Sequence, residues 1–74
     1  MADPHLIAQG EDTADRAYDY IVSSIAERQI PPTVREVGTA LGLTANGARA
    51  VLLRLEGAGR IRLIPKTSRG IVVL

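Results

Sequence analysis

Asn46 and Arg49 are the residues of this chain best suited to specific hydrogen bonding with a flat, polar ligand. The Asn46 amide holds a donor and an acceptor side by side, and Arg49 holds a planar fork of donors. Such an amide matches the edge of an adenine, and such a fork matches a guanine edge or a phosphate. A spacing of three residues puts both side chains on one face of a helix. The pair therefore predicts contacts to bases in a DNA major groove; a helix cap for Asn46 and a solvated surface charge for Arg49 are the alternatives.

Four small residues beside this pair are further candidates for contact with bases. Gly47 would let the backbone come close to DNA, or would serve only the geometry of a turn. The methyl and hydroxyl groups of the other three suit a thymine methyl or a phosphate. The predicted base contacts are Asn46, Arg49, Gly47, Ala50, Thr44 and Ala45.

Basic and hydroxyl side chains in the second half of the chain suit the phosphate backbone of DNA. Contacts to phosphates set the affinity and its salt dependence but carry little sequence information. Arg35 has an alternative role as a surface charge near Glu36. The predicted backbone contacts are Arg54, Arg35, Lys66, Thr67, Ser68 and Arg69.

The charges are divided unevenly along the chain. The formal net charge is only +1, which alone argues weakly against a nucleic-acid partner. Residues 1–30 hold two basic and six acidic side chains, whereas residues 31–74 hold seven basic and two acidic ones. We therefore expect the second half to face a polyanion. An ordinary solvated surface with uneven charge is the alternative.

A helix is predicted in the acidic half of the chain. Residues 1–10 show no periodicity and are predicted to be a disordered tail that precedes the domain of residues 11–74. The helix follows a cap at Asp12 or Thr13, has an acidic first turn and ends near Arg28, because Pro31 and Pro32 follow. Its apolar stripe consists of Ala14, Ala17, Tyr18, Ile21, Val22 and Ile25.

Two further helices are predicted around a tight turn. Thr33 and Glu36 form a capping box, in which each side chain satisfies a free backbone amide at the start of the second helix. That helix turns its Val37, Ala40 and Leu41 inward, and Gly42 ends it in a left-handed conformation. Residues 43–45 make the turn, and the third helix begins near Asn46. Its apolar face consists of Ala48, Val51, Leu52, Leu55 and Ala58, whereas Leu53 points outward.

The end of the chain changes from helical to strand periodicity. Residues 60–63 alternate polar with apolar side chains, residues 71–74 are apolar, and the basic segment Pro65 to Gly70 connects them as a hairpin. The predicted fold is α+β and mostly helical: a three-helix winged helix-turn-helix with a C-terminal two-stranded hairpin as its wing. In this fold the third helix can enter a major groove.

The residues argue against several other classes of function. The chain has no cysteine, and its one histidine, His5, lies in the predicted tail without ligand partners. Ser23 and Ser24 have no base at a spacing that would activate them. We therefore expect no enzyme, metal, cofactor or small-molecule ligand. No apolar run is long enough to span a bilayer, and we expect a cytoplasmic, nucleoid-associated protein.

Several motifs together resemble the amino-terminal domain of the LexA repressors. In the stretch from Ile30 to Leu43, a Pro-Pro-Thr, a capping Glu and a Leu-Gly-Leu turn occur at the spacing of that family. Asn46-Gly47-Ala48 stands where the family starts its recognition helix, and Ser68-Arg69-Gly70-Ile71 looks like its wing and return strand. The resemblance covers nearly the whole chain, from about Asp15 to Leu74.

The resemblance implies a bacterial winged helix-turn-helix domain that binds palindromic operators as a dimer and represses the SOS response genes. The residue that matches Asn46 reads the operator in that family. Three departures stand out: the turn before Asn46 is about one residue shorter, Arg49 stands where the family more often has an acidic residue, and the chain stops at Leu74. Family members continue into a self-cleaving dimerisation domain with a Ser-Lys pair, so we expect either an isolated domain or a free-standing relative.

Two functions therefore follow from the sequence. The first is a sequence-specific DNA-binding regulator that reads one operator half-site and associates as a homodimer on DNA. The second is a winged-helix interaction module, such as an anti-repressor or a transcription accessory factor, that docks on another protein through the face around Leu53. Its support is the apolar character of residues 50–53 and the modest net charge.

Overall fold

The computed structural model describes the backbone of residues 4–74 and the side chains of residues 13–74. Three helices are followed by a hairpin: α1 (Pro4–Arg28), α2 (Val34–Leu41), α3 (Ala45–Gly57), β1 (Ile61–Leu63) and β2 (Ile71–Val73). This order confirms the predicted α+β winged-helix class. Within the described part of the chain, no helix is both long and apolar enough to cross a membrane.

The first helix begins earlier than the sequence patterns predicted. It starts at Pro4 and not after a cap at Asp12 or Thr13. Proline fits the first turn of a helix, where its missing N–H costs no hydrogen bond, and the apolar residues that follow are good helix formers. The first turn consequently has no acidic residue, so the predicted acidic turn is wrong. Residues 1–3 of the predicted tail lie outside the described residues, and the division at residue 10 into tail and domain stays a prediction.

One core joins all three helices to the hairpin. The largest fully buried side chains include Ile21 of α1, Val37 of α2, Leu52 and Leu55 of α3 and Ile61 of β1. Because each element contributes an apolar side chain to the same cluster, the hairpin is packed onto the helices. This packing fixes where the wing stands relative to α3.

Three residues predicted to face the core are exposed. Val22 lies one residue past the buried Ile21 and is therefore turned about 100° away from it. Ala40 is exposed on α2, and Ala58 falls after the last residue of α3. Ser24 of α1, which the apolar pattern left out, is buried. The stripes predicted from apolar residues at helical spacing are wrong at these positions, because burial follows the angle around the helix and because Ala58 lies beyond the last residue of α3.

The turn between α2 and α3 is set by caps and by a close backbone approach. Gly42 ends α2 with a left-handed φ of 71°, as predicted. A side chain at Gly38 would place its Cβ 2.9 Å from the Leu43 carbonyl oxygen. The Leu43 N–H also donates to the Gly38 carbonyl at 2.7 Å. The two helices can therefore meet this tightly only with glycine at position 38.

The hairpin is antiparallel, with Ile61 opposite Val73, Arg62 opposite Val72 and Leu63 opposite Ile71. Ile61 and Ile71 are buried, whereas the pair in the middle faces solvent. The Ile64 N–H donates to the Gly70 carbonyl at 2.7 Å and closes the loop of residues 65–69. We call residues 64–70 the wing loop. Several of its residues line a cleft together with residues of α3.

Candidate nucleic-acid interface

The start of α3 is held by a threonine cap. The Thr44 hydroxyl accepts a hydrogen bond from the Gly47 N–H at 3.1 Å, and Ala45 is the first helical residue. Asn46 is thus the second residue of α3 and is exposed. Asn46 therefore does not cap α3, and its side-chain amide does not make the capping hydrogen bond. The predicted start of the helix near Asn46 is confirmed.

The outward face of α3 presents Asn46, Ala50 and Leu53, all exposed. These residues lie opposite the buried Ala48, Leu52 and Leu55, since each residue advances about 100° around the helix. Leu53 stands about 10 Å further along the axis than Asn46. Its side chain is 51% exposed, which confirms that it points outward. The exposed residues in the first two turns of this face are polar or small.

Two arginines flank this face on opposite sides. Arg49 and Arg54 are both exposed, and because they are five positions apart in the helix they lie about 140° from each other around its axis. Arg49 lies on the side of the wing, because it lines the same cleft as the wing loop. Arg54 lies on the other side. Each arginine thus stands where one wall of a groove would run if α3 lay in it.

A cleft of about 320 Å³ separates α3 from the wing. Apolar side chains, among them Leu52, Leu53 and Ile64, form part of its lining. Polar groups from both elements meet across it: Arg49 from α3 and Lys66, Thr67 and Ser68 from the wing loop. The structure therefore brings together four of the predicted contact residues that are up to 19 positions apart in the sequence.

Lys66 holds an unusual backbone conformation at the tip of the wing. Its φ is 64°, in the left-handed region. That region disfavours any residue with a Cβ. The lysine is exposed, and Pro65 before it fixes the first corner of the turn. The turn therefore presents the Lys66 ammonium to solvent in a backbone conformation that glycine would adopt without strain.

Arg69, also predicted to contact phosphate, is engaged within the fold. Its Nη1 donates to the Pro31 carbonyl at 2.9 Å and to Glu36 Oε1 at 2.8 Å. Arg28 approaches the other carboxylate oxygen of Glu36 at 3.6 Å. Arg35, in the first turn of α2, is exposed and does not line the cleft. These two arginines are therefore placed apart from the group that lines the cleft.

Glu36 is the centre of this second cluster. The predicted capping box is present: Glu36 Oε1 accepts from the Thr33 N–H at 2.8 Å, and the Thr33 hydroxyl accepts from the Glu36 N–H at 3.0 Å. The hydrogen bond from the Thr33 backbone, followed by the hydrogen bond and charge of Arg69, lowers the pKa of the Glu36 carboxyl below its ordinary value of 4.5. The carboxylate therefore stays ionised at neutral pH.

Some features of this surface were not predicted from the sequence. Glu56 accepts a hydrogen bond from the Leu63 N–H at 2.9 Å and so joins α3 to β1. Arg60 lies 4.0 Å above the Tyr18 ring centre and pairs with Asp15 at 2.6 Å. For the pair of Arg60 and Asp15, opposite charge was the only signal in the sequence, and it does not select one partner among many. No set of three metal-binding side chains occurs among the described residues.

The arrangement of a capped helix, a flanking wing and cationic groups on both defines the chain as a winged helix-turn-helix DNA-binding domain. A family model for the LexA DNA binding domain matches residues 14–70. The chain is 43% identical over 58 residues to a LexA repressor of Listeria welshimeri, a match that covers 77% of this chain and 28% of that protein. It is 42% identical over 55 residues to a LexA repressor of Leptospira biflexa, covering 74% of this chain and 27% of that protein. The chain belongs to the LexA DNA-binding domain family.

These matches also show how much of each relative's length the chain covers. The chain spans less than a third of the length of the curated relatives that it matches. The match to each of these relatives extends over 55 to 58 residues. The resemblance found in the motifs is thereby confirmed.

Proposed function

We propose that this chain is the operator-reading domain of a LexA-type transcriptional repressor in the bacterial SOS response. The observation that carries the proposal is the common cleft lined by Arg49 of α3 and Lys66, Thr67 and Ser68 of the wing loop. In a winged helix-turn-helix protein, the second helix of the motif enters the major groove and the wing follows the adjacent backbone. A chain that binds chromosomal DNA works in the cytoplasm at the nucleoid.

The exposed start of α3 supports a base-reading role. Asn46 pairs with an adenine edge, and Arg49 pairs with a guanine edge or a neighbouring phosphate. Ala50 and Ala45 offer methyl groups to a thymine, and the short side chain of Thr44 reaches the backbone at the mouth of the groove. Gly47, in the first turn, keeps the helix narrow where it approaches the base edges.

The phosphate contacts come from both flanks of α3. Lys66, Thr67 and Ser68 contact the strand that passes the wing, and Arg54 contacts the opposite wall of the groove. Arg35, exposed at the start of α2, reaches the backbone ahead of the recognition helix. One domain binds one half-site, and two copies together occupy a palindromic operator.

Fluorescence anisotropy against a labelled duplex tests this function. The duplex is recovered by selection from a randomised library with the chain itself, and an unselected duplex of equal length serves as the reference. We expect tighter binding to the selected duplex and affinity for both that falls as salt rises, by about 0.9 logarithmic units per logarithmic unit of salt for each phosphate contacted. Binding that neither prefers the selected duplex nor changes with salt contradicts the proposal.

The exposure of Leu53 favours the second candidate, a module that docks on another protein. Two substitutions separate the functions. If α3 reads DNA, Arg49→Ala weakens DNA binding. If the Leu53 face binds a protein partner, Leu53→Asp abolishes capture of that partner and Arg49→Ala leaves it unchanged.

A further inference from the structure

The Arg69 guanidinium joins the wing to the start of the helix-turn-helix motif. Its Nη1 donates at once to the Glu36 carboxylate at 2.8 Å and to the Pro31 carbonyl at 2.9 Å. Arg69 is separated from these partners by 33 and 38 positions in the sequence. Its side chain is 41% exposed, and that of Glu36 is 32% exposed. The strands of the hairpin are held by the core, whereas residues 65–69 of the wing loop are exposed, so this contact adds a direct tie between the loop and the start of α2.

The partners of Arg69 are rigid. Glu36 is already fixed by its two hydrogen bonds with Thr33 in the capping box. Pro31 and the buried Pro32 have restricted backbones. An exposed ion pair usually contributes little, because two mobile side chains must be ordered to form it. Here Glu36 is already ordered by the capping box, so its pair with Arg69 can restrain the wing loop.

The wing loop has few other ties to the helices. Within residues 13–74, its other hydrogen bond joins Ile64 to Gly70 inside the hairpin itself. Of the side chains of residues 65–69, Arg69 alone hydrogen-bonds to the rest of the described fold. Lys66, Thr67 and Ser68 immediately precede it. The position of these three residues over the cleft is therefore coupled to the Arg69 contact.

We infer that Arg69 is a positioning residue for DNA binding: its contact with Glu36 and Pro31 holds the wing loop where Lys66, Thr67 and Ser68 meet the phosphate backbone. The inference rests on the proposed function, and it replaces the expectation that Arg69 itself contacts a phosphate. Glu36, an acidic residue, accordingly supports the binding of a polyanion.

Glu36→Gln tests the inference because the two roles of Arg69 predict effects of opposite sign. The glutamine keeps an oxygen that accepts from the Thr33 N–H, so the cap of α2 is retained. If Arg69 positions the wing, loss of the carboxylate weakens binding to the selected duplex by about five-fold. If Arg69 contacts phosphate directly, the Glu36 carboxylate competes with the phosphate for the guanidinium. Its loss then leaves DNA binding unchanged or strengthens it. Glu27→Gln is the matched control, since it removes an exposed acidic side chain from α1.

A double-mutant cycle between Arg69 and Lys66 gives a second, independent readout. If Arg69 holds the wing loop in place, Arg69→Gln removes most of the contribution of Lys66, so Lys66→Gln weakens binding less in that background. Two independent phosphate contacts give additive losses. Circular dichroism establishes that each variant is folded, and the cycle decides the question even if Glu36→Gln unfolds.

The outcomes distinguish a failure of this inference from a failure of the proposed function on which it rests. A wild-type chain without salt-dependent preference for the selected duplex overturns the proposed function. A wild-type chain that binds as expected, together with undiminished binding by Glu36→Gln or additive losses in the cycle, overturns the positioning role of Arg69 alone. Weaker binding by Glu36→Gln, unchanged or stronger binding by Glu27→Gln and a non-additive cycle support it.

Discussion

Lys66 places a cation at the tip of the wing in a backbone conformation that lowers the stability of the fold. Its left-handed backbone costs a residue with a Cβ about 1 kcal/mol. We expect Lys66→Gly to raise the free energy of unfolding by about that amount while it weakens DNA binding and lowers the salt slope by about 0.9. Chemical denaturation and anisotropy measure the two effects. Lys66→Gln is the control, because it loses the charge but keeps the strain; a gain in stability from this variant would contradict the explanation.

Asn46 is the residue from which the sequence preference of α3 is expected to come. Thr44, and not Asn46, caps the helix, so Asn46→Ala removes the amide without removing a structural hydrogen bond. We expect a loss of about 1 to 3 kcal/mol in binding to the selected duplex and a tolerance of any base at one position of the site. A repeated selection with the variant measures the second effect. Ser23→Ala, on the exposed side of α1, should change neither the affinity nor the selected sequence.

At the level of secondary-structure elements, the angle between α2 and α3 depends on Gly38. A methyl group at that position would lie 2.9 Å from the Leu43 carbonyl oxygen and 3.4 Å from the Ala48 Cβ. We expect Gly38→Ala to destabilise the fold by about 1 to 3 kcal/mol, because α2 and α3 must separate. Gly57→Ala is the matched control, since its added methyl group meets no atom within 4 Å apart from its chain neighbours and the backbone of its own helix. That variant should be as stable as the wild type or up to about 1 kcal/mol more stable, and equal losses in both would contradict the role of Gly38.

Local signals predicted the elements well where a hydrogen bond or a fixed dihedral angle defines an end. The capping box of Thr33 and Glu36 and the left-handed Gly42 gave the limits of α2. The start of α1 was missed because Pro4 is compatible both with a tail and with a first helical turn. The hairpin was predicted from its change of period, but the contact of Arg69 with Glu36 was not. That contact joins residues 33 positions apart, and they are brought together by the packing of β1 on α3 and the pairing of β2 with β1.

Two sides of the whole molecule differ: a scaffold side, where the hairpin is attached to α1, and the side of the cleft between α3 and the wing loop. On the scaffold side, Arg60 at the start of the hairpin stacks on Tyr18 and pairs with Asp15 of α1. Its carbonyl also accepts from the Leu74 N–H at 3.0 Å. On the side of the cleft, Arg49 and Lys66 are lining residues and the exposed Arg54 flanks α3. The net charge of +1 hides this division, because six of the eight acidic residues lie in residues 1–30 and seven of the nine basic ones lie in residues 31–74.

The stability of the whole fold should depend on pH through Glu36. Its pKa is lower in the folded chain than its ordinary value of 4.5, because the carboxylate faces the Thr33 N–H and the guanidinium groups of Arg69 and Arg28. A carboxyl with a lowered pKa contributes stability that is fully present above the unfolded value and is lost as pH falls through the folded one. We therefore expect the free energy of unfolding to decline with acidification below about pH 4.5 more steeply in the wild type than in Glu36→Gln.

Urea unfolding from neutral pH to about pH 3 measures this difference. Other carboxylates also titrate in that range, so the informative quantity is the gap between the wild type and Glu36→Gln at each pH. Glu27→Gln, which removes an exposed carboxylate of α1, should run parallel to the wild type. A gap between the wild type and Glu36→Gln that stays constant across the acid range would show that the contact with Arg69 and the capping box do not depend on the charge of Glu36. A gap that closes on acidification ties the protonation of one side chain to the cap of α2 and to the attachment of the wing.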